Sequence, residues 1–257
     1  MIKILRTADN KILRTSANVV LRRFIQEYFS VAFGLLYNWY AAMDSRKISS
    51  SDDWIVPSIP NWKTLADYLG ASGDYTTNAV GGKMKKTGTS QWNTPNTGAT
   101  NETSFNGVGN GQRTTTAFAS ILNNGPIHSS INLSTSNTSN VSLYYNSSIF
   151  ACPGTSPHNK KLGNAVRLLY IGAGTPTQYI GNDLKSYPVI EIDGKFYTAN
   201  NLCETRFRNN DIIPWYGAVE ADFFTSSEWA ALTTAACCAY NNDVANVGEG
   251  FSFPLYE

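Results

Sequence analysis

The sequence predicts an α+β fold with few helices and many short strands. Three observations carry that expectation: one strongly signalled helix, several short aromatic and β-branched runs bounded by turn residues, and a 60-residue tract with almost no charge. At 257 residues the chain is long enough for one large domain or two small ones. Hydrophobic residues make up 42% of it and aromatic residues 12%, as in a folded chain, but charged residues only 15%, well below the ~25% usual for soluble domains. Asn, Ser and Thr must keep much of the surface wet.

The amino terminus carries a repeat. Lys3-Ile-Leu-Arg-Thr-Ala-Asp-Asn10 is followed at once by Lys11-Ile-Leu-Arg-Thr-Ser-Ala-Asn18, and Val19-Val-Leu-Arg22 begins a fading third copy. Short apolar runs separated by Asp-Asn and Ala-Asn turn signals read as small strands or a tight meander. Residues 1–32 hold six basic and two acidic residues, and alone they cannot bury enough surface to fold. It is either a frayed tail or a docking tag that orders on a larger partner or between subunits. In the second reading Ile4, Leu5, Arg6, Ile12, Leu13 and Arg14 are the docking side chains. From Val20 to Phe33 the spacing of Leu21, Phe24, Ile25, Tyr28 and Phe29 predicts a short amphipathic helix. Such a helix could form the shared axis of a homo-oligomer, with a trimer favoured.

The core begins near Phe33. Leu35-Leu-Tyr-Asn-Trp-Tyr-Ala-Ala42 is an aromatic-rich strand candidate. The helix follows over residues 58–70: Ser58 caps it, Pro60 sits in its first turn, Gly70 ends it, and Trp62, Leu65, Ala66 and Leu69 make one apolar face. Residues 81–105 read as a long loop with aromatic pegs, and 141–148 and 164–170 as strands. Between Gln91 and Phe150, 30 of 60 residues are Asn, Ser or Thr, while Glu102 and Arg113 are the only charged side chains. Short amides and hydroxyls bond to nearby backbone and tolerate turn dihedrals, and the aromatic and aliphatic residues scattered through the tract predict ordered, irregular β structure. The linker Gly172-Ala-Gly-Thr-Pro-Thr177 marks a boundary before the C-terminal stretch.

Little in the chain points to catalysis. A formal charge of +1 gives no field to attract nucleic acid or an anionic membrane, and no run of ~18 apolar residues is present to insert into one. Residues 1–30 interrupt any secretory apolar region with Arg6, Asp9, Lys11, Arg14, Arg22, Arg23 and Glu27, so Sec export is not expected. Cys152, Cys203, Cys237 and Cys238 lack CxxC spacing; free or buried thiols are expected, with one disulfide between Cys152 or Cys203 and the C-terminal pair as the alternative. His128 and His158 lie in turn-rich contexts and read as surface or loop histidines. No metal site, cofactor or catalytic residue is expected.

The segments LLYNWYAA (35–42), WIVPS (54–58), W..L..YLG (62–70), GGKMKKTGTSQWNTPNTGATNETSF (81–105), LYYNSS (143–148) and NKKLGNAVRLL (159–169) resemble the Fibrobacter succinogenes major paralogous domain family over about residues 33–170. The family is related to the C-type lectin-like fold. The resemblance implies a small antiparallel sheet with one or two helices and a long irregular loop region that serves as a ligand-binding surface. The family's tryptophan-rich WWSS motif is replaced here by Pro126-Ile-His-Ser-Ser130. The C-terminal stretch, 171–257, resembles the family's opening block, which implies a circularly permuted order; it would complete the same domain, complete a neighbour's, or form a small second module. Formylglycine-generating enzymes share the broad fold class and supply the enzymatic alternative.

The expected function is non-enzymatic: a virion protein of a bacteriophage, as a fibre or capsid decoration, docked to other virion proteins by residues 1–32 and displaying a lectin-like head to host glycan or protein. A bacterial surface adhesin is the alternative. Asn137, Asn140, Tyr144, Tyr145 and Asn146 are the candidate display residues, since aromatic faces stack on sugars and amides read hydroxyls.

Overall fold

A computed structural model describes residues 30–254 apart from 220, 221 and 250, together with the short paired segments 5–6 and 12–13. In chain order the elements are β1 (Leu5–Arg6), β2 (Ile12–Leu13), β3 (Ser30–Val31), β4 (Leu36–Tyr37), α1 (Trp39–Ala42), β5 (Trp54–Ile55), α2 (Ile59–Tyr68), β6 (Asn110–Arg113), β7 (Phe118–Ile121), β8 (Asn124–Asn132) and β9 (Asn137–Tyr144). They continue as β10 (Phe150–Ala151), β11 (His158–Asn159), β12 (Leu169–Tyr170), β13 (Gln178–Ile180), β14 (Ser186–Ile192), β15 (Lys195–Thr198), α3 (Ser226–Ala231), β16 (Cys237–Cys238) and β17 (Gly248–Glu249). The fold is α+β: small antiparallel sheets, short helices and long irregular connections. Among the described residues no helix is long and apolar enough to cross a membrane.

The strongest helix signal is realised as α2. Ser58 accepts from the Asn61 N–H while the Asn61 side chain takes the Ser58 N–H, so the cap is reciprocal, and Pro60 occupies the first turn. Its apolar face, Ile59, Trp62, Leu65 and Ala66, packs against Met84, Trp92, Phe105, Ile127, Val141, Leu143 and Phe150. Trp62 is ringed by Phe105 and Phe150 edge-on and Tyr197 stacked, at 6.0–6.2 Å, the separations at which aromatic pairs attract.

Residues 35–42 are not one strand. Only Leu36 and Tyr37 are extended, and Asn38 turns the chain into α1 by accepting from the Ala41 N–H at 2.9 Å. The buried Asn38 amide also donates to Thr234 O at 2.8 Å and accepts from Ala236 N at 3.1 Å, so the break is fixed from the far end of the chain. The expected helix at 20–33 is also not continued into the described residues: Ser30 and Val31 pair with Glu249 and Gly248 instead. Residues 20–29 lie outside them.

Two sheets organise the rest. One has the order β13-β14-β15-β12-β5, all antiparallel, so that strands from before residue 60 and after residue 175 share a single ladder through Leu169–Tyr170. In the other, β9 pairs along one edge with β8 and along the opposite edge with β10 at one end and β11 at the other. The principal core likewise draws on both ends of the chain: Leu35, Tyr37, Trp54, Val56, Val166 and Leu168 pack with Tyr179, Tyr187, Leu202, Phe207, Ile213, Cys237 and Val247. A third cluster joins Leu36 to Phe224, Trp229, Cys238 and Tyr240. The Gly/Pro linker at 172–177 is a mostly exposed connection within this arrangement.

All four cysteines are free and buried. His128 is not a loop residue: it is fully buried in β8, its Nε2 2.7 Å from Tyr37 O. Burial lowers its pKa to about 4, and its Nδ1 has no partner.

Candidate functional site

The long Asn/Ser/Thr-rich region is ordered because buried cations hold its backbone. Irregular loops leave carbonyls that no ladder satisfies. The fully buried Lys85 collects three of them, Thr97 O and Tyr144 O at 2.8 Å and Ser147 O at 2.9 Å. Burial lowers the Lys85 pKa to about 8. The two glycines before it allow the close approach: a Cβ on Gly81 would strike the Ile149 backbone, and one on Gly82 the Gly98 backbone. Trp92 and Phe105 are buried pegs, and Trp92 Nε1 donates to Gly107 O at 2.9 Å. Around these anchors the residues at 86–90, 93–95, 97–98, 100, 102, 104 and 132–136 are exposed, and Lys86 and Glu102 are the only charged residues among them.

The five display candidates do not form one surface. Asn137 and Tyr144 stand at opposite ends of β9, roughly 24 Å apart at about 3.4 Å per residue. Asn140 is only 4% exposed, opposite His128 in the β8 ladder. It is therefore withdrawn as a display residue: the sheet face that period-two alternation marks as outward is covered there by the Tyr37 backbone. Tyr145 is half-buried against the α2 core, Tyr144 is half-buried, and Asn146 is exposed. Tyr144, Tyr145 and Asn146 do share the loop held by Lys85. Of the docking candidates, Leu5 and Arg6 pair with Leu13 and Ile12 in a two-stranded ladder, whereas Ile4 and Arg14 lie outside the described residues.

A second anchor was missed in the sequence. Arg167 is fully buried and stacks its guanidinium 4.5 Å from the Phe105 ring centre. Nε donates to Asn201 Oδ1 at 2.6 Å, Nη1 to Phe105 O at 2.8 Å and Thr198 O at 3.0 Å, and Nη2 to Asn106 O at 3.1 Å. Among the described residues no carboxylate pairs with it. Burial lowers its pKa to about 9, which leaves it a cation at neutral pH. It lines a cavity of about 190 Å³ with Lys86, Gln91, Asn106 and Asn200. The available signal was a charged residue inside the apolar run Ala165-Val-Arg-Leu-Leu169, a position that demands a buried partner set.

A third network is closed. Glu204 is fully buried, accepting from the Tyr187 hydroxyl at 2.5 Å and the Asp183 N–H at 2.7 Å. Burial, with the nearby Asp183 charge adding to it, raises its pKa to about 7. Burial also pushes the Cys152 thiol up to about 12 and raises Cys203, Cys237 and Cys238, the reverse of what a nucleophilic thiolate needs. Among the described residues no three His, Cys, Asp or Glu side chains converge to hold a metal.

Comparison with known proteins gives one match. The sequence model of the Fibrobacter succinogenes major domain matches residues 6–169, starting within the N-terminal repeat and thus 27 residues before the stretch whose motifs carry the resemblance. No curated protein and no solved structure matches the chain.

Proposed function

Because the chain belongs to the Fibrobacter succinogenes major domain family, we propose that it is a non-enzymatic display protein of a virion, a fibre or capsid decoration that offers a lectin-like loop surface to host glycan or protein. The observation that carries this reading is the pairing of an almost uncharged exposed loop surface with an anchor of buried cations and aromatic pegs beneath it. A surface held rigid from below can be read by a ligand, and its amides and hydroxyls can change without disturbing the core. The N-terminal ladder supports the docking role, since a two-stranded ladder of two residues per strand does not sustain itself in water and needs a partner surface. In this reading the partners are other virion proteins and further copies of the chain, as a trimer.

Mass spectrometry of purified phage particles tests the location, and the protein is expected there in fixed stoichiometry. Absence from particles with presence in a bacterial envelope fraction would replace the virion by an adhesin. Glycan-array binding lost in Tyr144→Ala and Asn146→Ala supports the display role; no binding to any glycan or host envelope fraction refutes it.

A further inference from the structure

We infer that the cavity beside Arg167 is a binding site for the carboxylate of an acidic monosaccharide unit, such as a uronic or sialic acid residue. The inference rests on the display reading only in taking the ligand to be a glycan. Arg167 has five N–H groups, and four have acceptors within the protein: the Nε hydrogen, both on Nη1 and one on Nη2. The remaining Nη2 hydrogen belongs to a buried cation with no counter-charge among the described residues. An unpaired buried charge is costly, and a carboxylate entering this cavity would offset that cost.

The other lining groups specify more than a simple anion. Lys86 is exposed and makes no ion pair among the described residues, so it supplies a second positive charge at the mouth. Gln91 is 8% exposed; its Nε2 donates to Ala32 O, while its Oε1 is buried with no partner. That oxygen can only accept, so it repels a bare carboxylate and calls for a hydroxyl or amide N–H. The Asn200 side chain makes no hydrogen bond within the described residues, leaving both a donor and an acceptor. Two cations, one buried acceptor and one free amide match a ring that carries a carboxylate beside hydroxyls. The volume of about 190 Å³ lies below the ~300–1,000 Å³ of sites that enclose drug-sized ligands, which fits one sugar unit at the end or along the edge of a chain.

The test uses the full chain with methyl β-glucuronide and N-acetylneuraminic acid, and with methyl β-glucoside and sodium acetate as controls, followed by amide NMR shifts and calorimetry. The acidic sugars are expected to shift the resonances of Gln91, Asn106 and Asn200, and to bind more tightly than either control. Lys86→Glu and Asn200→Asp leave the anchors of the fold intact and are expected to weaken acidic-sugar binding by about tenfold or more. Acetate binding as tightly as glucuronide would overturn the sugar assignment. So would tighter capture of a glutamate-containing peptide, acidic-sugar binding indifferent to both variants, or silence of the cavity resonances. If neutral glycans bind and shift only residues near 144–146, the cavity inference fails while the display reading stands. If glycan arrays are blank but glucuronide binds at Arg167, the reverse holds.

Discussion

Glu204 gives the sharpest prediction, because its environment converts directly into a pH-dependent stability. Its folded-state pKa, about 7, lies above the ordinary 4.5. The native state therefore binds more protons than the unfolded state between those two pH values, and this group's contribution is fully present below pH 4.5 and lost as the pH rises to 7. That span of about 2.5 pH units, at about 1.4 kcal/mol each, corresponds to about 3–4 kcal/mol. His128 acts in the opposite sense. Its folded-state pKa, about 4, lies below the ordinary 6.5, so its contribution is present above pH 6.5 and lost as the pH falls to 4. The two windows nearly coincide, so the wild-type profile conceals both effects.

Glu204→Gln separates them. The amide cannot accept from both the Tyr187 hydroxyl and the Asp183 N–H as the carboxyl does, which costs about 1–3 kcal/mol at every pH and does not affect the slope. Urea unfolding followed by tryptophan fluorescence, at half-unit steps from pH 4 to 8, gives the difference between wild type and variant. That difference should fall by about 3–4 kcal/mol between pH 4.5 and 7 and stay level outside the window, while the variant alone becomes more stable as the pH rises from 4 to 6.5. Parallel wild-type and variant curves would show that Glu204 titrates as an ordinary carboxyl and that the argument from burial is wrong.

Other expectations follow from the same geometry. Lys85→Met leaves the Thr97, Tyr144 and Ser147 carbonyls without their donor; a loss of about 3 kcal/mol or more is expected in urea unfolding, with new protease cleavage within 86–104 or 145–148, and wild-type proteolysis would refute the clamp. Truncation after residue 174 removes β13–β17 and uncovers Leu35, Tyr37, Trp54, Val166 and Leu168, so the fragment should be insoluble or lack a cooperative transition. A soluble, cooperatively folding 1–174 would make the C-terminal stretch a dispensable module. In a native-state titration with a chromogenic disulfide reagent, none of the four buried thiols should react until denaturant is added. Fast labelling of even one would contradict the closed core.

The helix over 58–70 was legible because every signal for it is local: cap, proline, apolar face and terminal glycine lie within thirteen residues. The strand assigned to 35–42 failed for the opposite reason. Asn38 is a helix cap only because Thr234 and Ala236 hold its amide, and nothing near Asn38 in sequence announces partners almost two hundred residues away. The burial of the candidate display residues was half legible. Alternation along β9 correctly sends Val141 and Leu143 inward, but it cannot reveal that Tyr37 covers the opposite face at Asn140. Arg167 escaped notice because its partners are mostly backbone carbonyls, which have no sequence signature.

The scarcity of charge then has a structural cause as well as a surface one. A fold made of two-residue ladders and long loops generates many carbonyls without partners, and neutral side chains satisfy these one or two at a time. A buried cation satisfies several. Lys85 takes three carbonyls, Arg167 takes three and an amide oxygen, and the buried Lys160 takes Asn132 Oδ1 at 2.7 Å and Thr135 O at 3.3 Å beneath Trp39. Each of these cations ties a separate part of the irregular region to the sheets, and none has a carboxylate partner among the described residues. Carbonyl dipoles hold a cation without adding surface charge, so the same substitution of dipoles for ions that orders the loops inside leaves their outer face neutral. Arg167 keeps an unused N–H beside its cavity, so the scheme is left incomplete there and an external anion has something to gain.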